Sequence, residues 1–271
     1  MPHTDVNGTR IWHRRTRSES LTRWFGWLLG VAVFVYCWQQ ISAATTWFFV
    51  TDAPRIATDI WDRATPPKWA YIAQLGRPIW DTLNIATLGT IIALFLAVPT
   101  AFMAARNSTP SAVFVRPIAL LVIVSTRSIN SLIWALLLIA IIGPGVFAGV
   151  VAIAIRSIGF CAKLLYEAIE EINEVQVEAI TATGASRWQV MVYGIVPQIL
   201  PAFAGIAVFR WDINIRESTV LGLVGAGGIG LQLSASLNVL AWPQVSLILI
   251  VILFAVVISE WVSAKVRGAI I

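Results

Sequence analysis

The chain has 271 residues, of which 58% are hydrophobic and 12% are charged, and its formal net charge is +5. Ordinary globular domains carry roughly 25% charged residues, so this composition argues against a soluble enzyme. The basic residues flank apolar segments and form no single soluble face, which indicates membrane topology and no nucleic-acid partner. Thirteen tryptophans suit a protein with two membrane–water interfaces.

The apolar segments predict an all-α integral membrane protein with about six transmembrane helices. A helix needs about 20 mostly apolar residues to cross a bilayer, and five or six stretches qualify. They are residues 24–45, 82–105, 117–142, 146–168, 197–217 and 243–264. The first lacks a clear cleavage site and is interpreted as a retained span. Arg127 and Asn130 interrupt the third, and the fifth ends in the polar run 210–218.

Lys and Arg near the span ends predict the orientation. The tail 1–23 contains five arginines and is expected in the cytoplasm. Six crossings return Lys265 and Arg267 to the same side, so both termini are predicted to be cytoplasmic, together with the turn 106–116. The outer loop 46–78 carries both basic and acidic residues. The predicted division is a basic tail (1–23), a first helix with its extracytoplasmic loop (24–78) and a transmembrane core (79–271).

Neither cysteine belongs to a recognisable disulfide or metal pattern. Cys37 and Cys161 both lie in apolar runs, so two buried thiols are expected.

Residues 224–230, VGAGGIG, match the G-x-G-x-x-G spacing of a dinucleotide-binding turn. That turn also requires an acidic residue about 20 positions further on, where this chain has Ile250 in an apolar run. The dinucleotide interpretation therefore fails. Two interpretations remain open: a tight helix–helix contact, or a broken, gate-forming element that faces a translocation path. The glycines concerned are Gly225, Gly227, Gly228 and Gly230.

A polar segment, residues 167–201, separates the fourth and fifth spans and holds five glutamates in its first half. Asn173 is the predicted N-cap of a short helix, and Gly184 permits a sharp exit from it. The apolar positions of this helix recur at helical spacing: Ile172, Val175, Ala179 and Ala182. We expect an amphipathic helix across the cytoplasmic end of the bundle; a solvated helix without a partner is the alternative.

The pattern around Glu178 resembles the EAA loop of ABC importer permeases, which reads EAA, three residues, Gly, nine residues and I-x-L-P. Here Gly184 and Pro197 occupy the matching positions, whereas Ile180, Gly194 and Val196 depart from the pattern. In that family the helix docks on a cytoplasmic ATPase subunit and transmits its closure to the membrane. The resemblance implies an ATPase-coupling role for five residues: Glu178, Ala179, Gly184, Ala185 and Arg187.

Five longer stretches resemble phosphonate-type permeases, the membrane subunits of importers for phosphonate, phosphite or related phosphate oxyanions. They are STRSINSLIWALLL (125–138), GPGVFAGVVAIAI (143–155), EAITATGASRWQV (178–190), VPQILP (196–201) and FRWDINIRESTVLGLVGAGGIG (209–230). The resemblance implies a type I importer core like that of methionine permeases, in the inner or plasma membrane.

The same resemblance implies the partners. These are two cytoplasmic ATPase subunits that bind ATP and magnesium, a second permease subunit (identical or related), an extracytoplasmic substrate-binding protein and membrane lipid. The chain itself is expected to bind no cofactor or metal and to catalyse no reaction. The loop 46–78 is either an amphipathic helix at the outer interface or a contact for the binding protein.

Polar residues inside the predicted spans are the candidate substrate path, because ionisable groups are costly there. Arginine also presents donors in a fork that matches paired phosphonate oxygens. Asp212 and Arg216 are one helical turn apart, so an ion-pair cluster with Arg210 and Glu217 is favoured over direct ligation. The candidates are Arg127, Asn130, Arg156, Arg210, Asp212, Asn214, Arg216 and Glu217.

Two arginines have no carboxylate nearby in sequence. Arg127 and Arg156 are therefore better placed for an anion path, although Arg156 could pair across helices or extend towards the interface. Asn130 could donate to substrate or satisfy backbone at a helix break.

Two other function classes compete with the importer. A self-contained secondary anion transporter would need carboxylates for ion coupling, of which Asp212, Glu217 and Glu260 are available. A membrane enzyme is the third, but His3 and His13 lie in the tail and no nucleophile–base spacing occurs elsewhere.

Overall fold

The computed structural model describes residues 3–6, 9–12 and 17–270. Its contacts define two compact units, Met1–Asp62 and Arg63–Ile271. The first unit holds an antiparallel pair of short strands, β1 (His3–Val6) and β2 (Thr9–Trp12), then helix α1 (Arg17–Ala44) and most of α2 (Trp47–Ala64). No pattern in the sequence predicted the strand pair.

Helix α1 is apolar and exposed along nearly all of its length. Cys37 is exposed on it, so the expectation of two buried thiols is wrong for Cys37, while Cys161 is buried as predicted. The reason is that nearly every residue of α1 is exposed, as suits a helix surrounded by lipid.

The second unit is a helical bundle. A 3-10 turn, Trp69–Tyr71, precedes its helices. These are α3 (Ile72–Ala104), α4 (Val115–Ser128), α5 (Ser131–Ile142), α6 (Val146–Glu170), α7 (Glu174–Ala182), α8 (Arg187–Val190), α9 (Val196–Leu223), α10 (Gly228–Asn238) and α11 (Trp242–Ile270). Across the described residues, five helical segments are long and apolar enough to cross a membrane, or six if α4 and α5 form one span. About six spans are thus confirmed.

The third predicted span is broken. Helices α4 and α5 meet at an angle of 88°, and with 14 and 12 residues each is shorter than the about 20 residues that a crossing needs. Asn130 caps α5, because its side-chain oxygen accepts a hydrogen bond from the N–H of Leu132 at 3.1 Å. The asparagine therefore satisfies backbone at the break, one of the two roles expected for it.

The fifth span does not end at the polar run, contrary to the sequence-based prediction. Helix α9 continues through residues 210–218 to Leu223. The backbone stays helical through this run because residues of α3, α6 and α11 supply hydrogen-bond partners for its polar side chains.

Small residues bring α3, α4 and α6 close together. Helix α3 buries a row of them: Ala86, Gly89, Ala93, Ala97, Ala101 and Ala104. A Cβ added to Gly89 would lie 2.7 Å from Cγ2 of Ile153 on α6. At Gly159 of α6 the added atom would lie 2.5 Å from the carbonyl oxygen of Ile123 on α4. Close backbone approach of this kind is how helices pack inside a membrane, where lipid is as apolar as the side chains.

We expect Gly159→Ala to destabilise the protein. The new methyl group would overlap Thr126 and the backbone of Ile123, and overpacking of this kind costs about 1–3 kcal/mol. The measurement is the free energy of unfolding of the purified chain in detergent. Gly76→Ala on α3 is the matched control, since nothing lies within 4 Å of its added Cβ. Equal stability of the two variants would contradict the proposed close packing.

Candidate functional site

The second half of α9 carries a buried polar face. Arg210 is 2% exposed, Asp212 4%, and Asn214 and Ser218 are fully buried. Charged groups that are buried in this way need oppositely charged or hydrogen-bonding partners. Each of these side chains except Ser218 finds partners on a neighbouring helix, whereas the Ser218 hydroxyl donates to the carbonyl of Ile215 in its own helix.

Glu217 lies between two arginines. One of its carboxylate oxygens accepts a hydrogen bond from Nη1 of Arg156 on α6 at 2.6 Å, and the other accepts from Nη2 of Arg210 at 3.4 Å. Arg156 also donates to the hydroxyl of Ser131 on α5 at 3.3 Å. Arg156 therefore pairs across helices, one of the alternatives that the sequence left open for it. Its partner is 61 residues away in sequence, so local spacing could not reveal the pair.

The second guanidinium is held on three sides. Nε of Arg210 donates to the Ser157 hydroxyl at 2.8 Å, and the guanidinium carbon lies 5.0 Å from the ring centre of Phe160. Both residues belong to α6 and are one turn apart. With Glu217 on the remaining side, Arg210 is fixed in one orientation.

Asn214 extends this network to α3. Its side-chain N–H groups donate to the hydroxyl of Thr90 at 2.8 Å and to that of Ser157 at 3.2 Å. Ser157 thus contacts both Asn214 and Arg210. The sequence did not point to Thr90 and Ser157, because a single Ser or Thr in an apolar span is a weak signal.

Asp212 and Arg216 form the ion pair predicted from their spacing. The Ser259 hydroxyl on α11 donates to the other oxygen of Asp212 at 2.7 Å. The Asp212 side chain is 5% exposed, whereas that of Arg216 is 46% exposed. The carboxylate is therefore structural, and one edge of the Arg216 guanidinium remains open.

These groups leave a positive excess. Three arginines (Arg156, Arg210 and Arg216) face two carboxylates (Asp212 and Glu217), a net charge of +1. Arg127 is exposed at the end of α4, and no hydrogen bond or ion pair joins its guanidinium to the described part of the chain.

One turn of α6 supports both sides of the α4–α5 break. Arg156 contacts Ser131 at the start of α5, and the backbone at Gly159 lies against the backbone N of Arg127 at the end of α4. The break, Arg127, Arg156 and Arg210 consequently belong to one region of the bundle.

The glycine-rich segment is a tight turn followed by a short helix. Gly225, Gly227 and Gly228 have φ values of +101°, +84° and +72°, which favour glycine. The N–H of Gly145 donates to the carbonyl of Gly225 at 3.0 Å. Helix α10 then begins with the N–H of Ile229 donating to Thr82 at 2.8 Å.

Gly230 also makes a close contact. An added Cβ there would overlap the carbonyl oxygen of Thr219 and lie 2.9 Å from Cα of Gly222. With 11 residues, α10 is about 16 Å long and too short to cross a bilayer. The segment is thus both a tight helix contact and a broken element; a gating role remains a prediction.

Helix α7 is capped by Asn173, as predicted. Of the predicted apolar stripe, only Ile172, just before the helix, packs against the core. Val175 is 71% exposed, and Ala179 and Ala182 are exposed too. The opposite face makes the contacts, because Val177 and Ile180 pack against Gly194.

The predicted coupling residues all lie in or directly after this helix. Glu178 and Ala179 are exposed on α7, and Gly184 has a φ of +80° in the sharp exit predicted for it. Ala185 is partly buried, and Arg187 is exposed at the start of α8.

Helix α7 is connected to α9 through a wide turn. Residues Met191–Ile195 form a π-helical turn that continues directly into α9. Pro197 has no N–H for the carbonyl four residues earlier, and Val196 donates to Met191, five residues earlier. Gln198 of α9 accepts from the N–H of Asn173 at 2.9 Å and donates to the carbonyl of Gly194 at 2.7 Å.

Potential metal ligands are scattered. Within residues 17–270, no three His, Cys, Asp or Glu side chains come together in a group suited to a metal ion.

Known proteins are similar to this chain over most of its length. Residues 89–264 match the family described as binding-protein-dependent transport system inner membrane component. The chain is 38% identical over 236 residues to the phosphite transport system permease protein PtxC of Stutzerimonas stutzeri, covering 87% of this chain and 84% of PtxC. It is also 38% identical over 205 residues to the phosphate-import permease protein PhnE of Mycolicibacterium smegmatis, covering 76% of this chain and 38% of PhnE.

A solved structure has a similar fold. A chain of the inward-facing MetNI methionine ABC transporter superposes with a TM-score of 0.65 at 20% identity, covering 75% of this chain and 99% of that one. The match confirms the predicted methionine-permease-like core.

We expect Glu217→Gln to destabilise the bundle, because it leaves Arg156 and Arg210 without their shared carboxylate. Removing one partner of a fully buried pair costs about 3–5 kcal/mol, and this is an upper bound here because the Arg156 and Glu217 side chains are 29% and 17% exposed. The free energy of unfolding in detergent measures the loss, with Glu260→Gln, exposed on α11, as the control. Adding Arg156→Gln to Glu217→Gln should restore part of the stability. Equal effects of Glu217→Gln and Glu260→Gln would show that the pair contributes nothing.

Proposed function

The chain belongs to the binding-protein-dependent transport system inner membrane components, and we propose that it is the membrane-spanning permease of an ATP-driven importer for phosphonate or a related phosphate oxyanion. The observation that carries the proposal is the cluster of three arginines and two carboxylates, with its net positive charge, inside a multi-pass bundle. Charges placed at that depth mark substrate pathways by default. The names of PtxC and PhnE support the substrate class.

The shared carboxylate suggests how an anion passes. A phosphate oxyanion presents the same paired oxygens to arginine as Glu217 does. It therefore competes with Glu217 for Arg156 and Arg210, because both guanidinium groups already bind that carboxylate. Such an exchange keeps binding weak and reversible, as passage requires. Tight selection then belongs to the substrate-binding protein.

The α4–α5 break is the proposed approach to this cluster. Arg127 is exposed beside it, and the N-terminus of α5, capped by Asn130, adds a partial positive charge. Asn214 and Arg216 also line the proposed path, together with the ion-paired residues Arg156, Arg210, Asp212 and Glu217. The Arg216 side chain is 46% exposed. The glycines of the 225–230 turn are the proposed gate.

The coupling path runs from α7 to α9. Movement of α7 reaches the π-helical turn through Val177 and Ile180, and reaches α9 through Gln198. Helix α9 itself carries Arg210 and Glu217. Closure of an ATPase pressed against Glu178 and Ala179 would thus shift the helix that holds the anion cluster, with Gly184, Ala185 and Arg187 forming the exit from α7.

In the proposed importer this chain has a fixed orientation and works with partner subunits. Residues 79–271 form the transporter core, and both termini are cytoplasmic. Two ATPase subunits bind ATP and magnesium, while this chain holds no cofactor. A second permease subunit, identical or related, closes the path, and an extracytoplasmic protein delivers substrate. Membership of a binding-protein-dependent family favours this importer over a self-contained secondary transporter or a membrane enzyme.

We expect Val175→Asp to weaken the association with the ATPase subunit, because it places a charge on the exposed apolar face of α7. The measurement is the amount of ATPase that co-purifies with the permease, followed by the ATP hydrolysis rate. Val113→Asp is the control: that valine is 74% exposed, against 71% for Val175, and lies in the 106–116 turn. Both variants should unfold like the original chain. Equal ATPase recovery from both would remove α7 from the interface.

ATP hydrolysis by the reconstituted complex tests the substrate class. We expect binding protein loaded with phosphonate, phosphite or phosphate to stimulate hydrolysis, and the most effective anion identifies the substrate. Binding protein without anion, and the same protein offered sulfate, serve as controls. Failure to assemble with any ATPase, with transport persisting in vesicles, would instead favour the secondary transporter.

A further inference from the structure

Helix α2 separates its residues into two faces. At 100° per residue, its apolar side chains fall on one arc: Phe49, Val50, Ala53, Ile56, Ala57 and Ile60. The opposite arc holds most of the polar ones: Thr51, Asp52, Arg55, Thr58, Asp59 and Asp62. Phe48 is an apolar exception within the polar arc. A division this complete is typical of helices that lie along a membrane surface.

The apolar arc is not covered by the protein. None of the residues of α2 is buried, and Phe49, Val50 and Ile56 are 64%, 51% and 43% exposed. Three aspartates on the other face make α2 unsuitable for hydrocarbon, and it is absent from the helices that could cross a membrane within the described residues. The arc therefore needs an apolar covering while its polar face stays in water.

The start of α2 is fixed to the end of a membrane span. The indole N–H of Trp47 lies 3.1 Å from both the carbonyl and the hydroxyl oxygen of Ser42, near the end of α1. The Trp47 ring also lies 6.2 Å from that of Trp38. Since α1 is a candidate span, Trp47 sits where that span leaves the bilayer, a position that tryptophan favours.

We infer that α2 lies in the plane of the membrane surface, with its apolar arc inserted about 5–10 Å into the headgroup and acyl boundary and its aspartates facing water. The occupant of the exposed arc is lipid, because the helix begins at the lipid boundary, next to the equally exposed and apolar helix α1. Under the orientation proposed above, this is the outer face. The other occupant that the sequence allowed, the binding protein, would meet the polar arc.

Spin labels on the full-length permease in nanodiscs test this placement. Cys37→Ser and Cys161→Ala provide a background without native thiols. Single cysteines then replace one residue from each face in pairs two positions apart: Ala53 and Arg55, Ile56 and Thr58, Ile60 and Asp62. Each label is measured for collisions with oxygen, which concentrates in lipid, and with a water-soluble nickel complex, with and without the substrate-binding protein.

We expect the ratio of oxygen to nickel collisions to be several-fold higher at Ala53, Ile56 and Ile60 than at their partners, and to be unaffected by the binding protein. High nickel accessibility on the apolar arc would place it in water and overturn the inference. Low accessibility to both reagents would show that protein covers it. Shielding that appears only with the binding protein would assign the arc to that partner. None of these results depends on transport activity.

Discussion

The arrangement of the bundle depends on a carboxylate shared by two arginines. Glu217 accepts hydrogen bonds from Arg156 on α6 and from Arg210 on its own helix. Charges without partners are costly inside a membrane, so α6 and α9 must lie in the one register that brings them together. The same register sets Ser157 against Arg210 and Asn214, and it brings Ser131 of α5 to Arg156.

Small residues bring the neighbours of α6 close to it. Gly89 permits a close approach of α3 to α6, Gly159 permits that of α4 to α6, and the buried alanines of α3 continue its row of small residues. The hydrogen bond of 2.8 Å between Asn214 and Thr90 joins two short side chains, so α9 also lies close to α3. Packing and electrostatics therefore meet at α6, because a methyl group added at Gly89 or Gly159 would displace the helix that carries Arg156 and Ser157.

The features predicted correctly are those that depend on residues close together in the sequence. Asn130 and Asn173 cap helices because each side chain bonds to the N–H two residues later, and Gly184 ends α7 through its own φ. Span positions follow from apolar length alone. What local sequence left open or missed depends on distant contacts. Arg156 finds Glu217 from another helix, and partners on α3, α6 and α11 keep the polar run of α9 helical. Val175 is exposed because Val177 and Ile180 face Gly194 instead.

Helix α9 connects the coupling path to the anion cluster, because two of the ion pairs lie within it and the third joins it to α6. Helix α9 has 28 residues and so is about 42 Å long, with the α7 contact at its start and Glu217 near its end. The Asp212–Arg216 and Arg210–Glu217 pairs lie within α9 and move with it, whereas Arg156–Glu217 joins α9 to α6. A shift of α9 against α6 would therefore break one pair and preserve the other two. Under the proposed function, that shift releases the Arg156 guanidinium beside the α4–α5 break, where an oxyanion can replace Glu217.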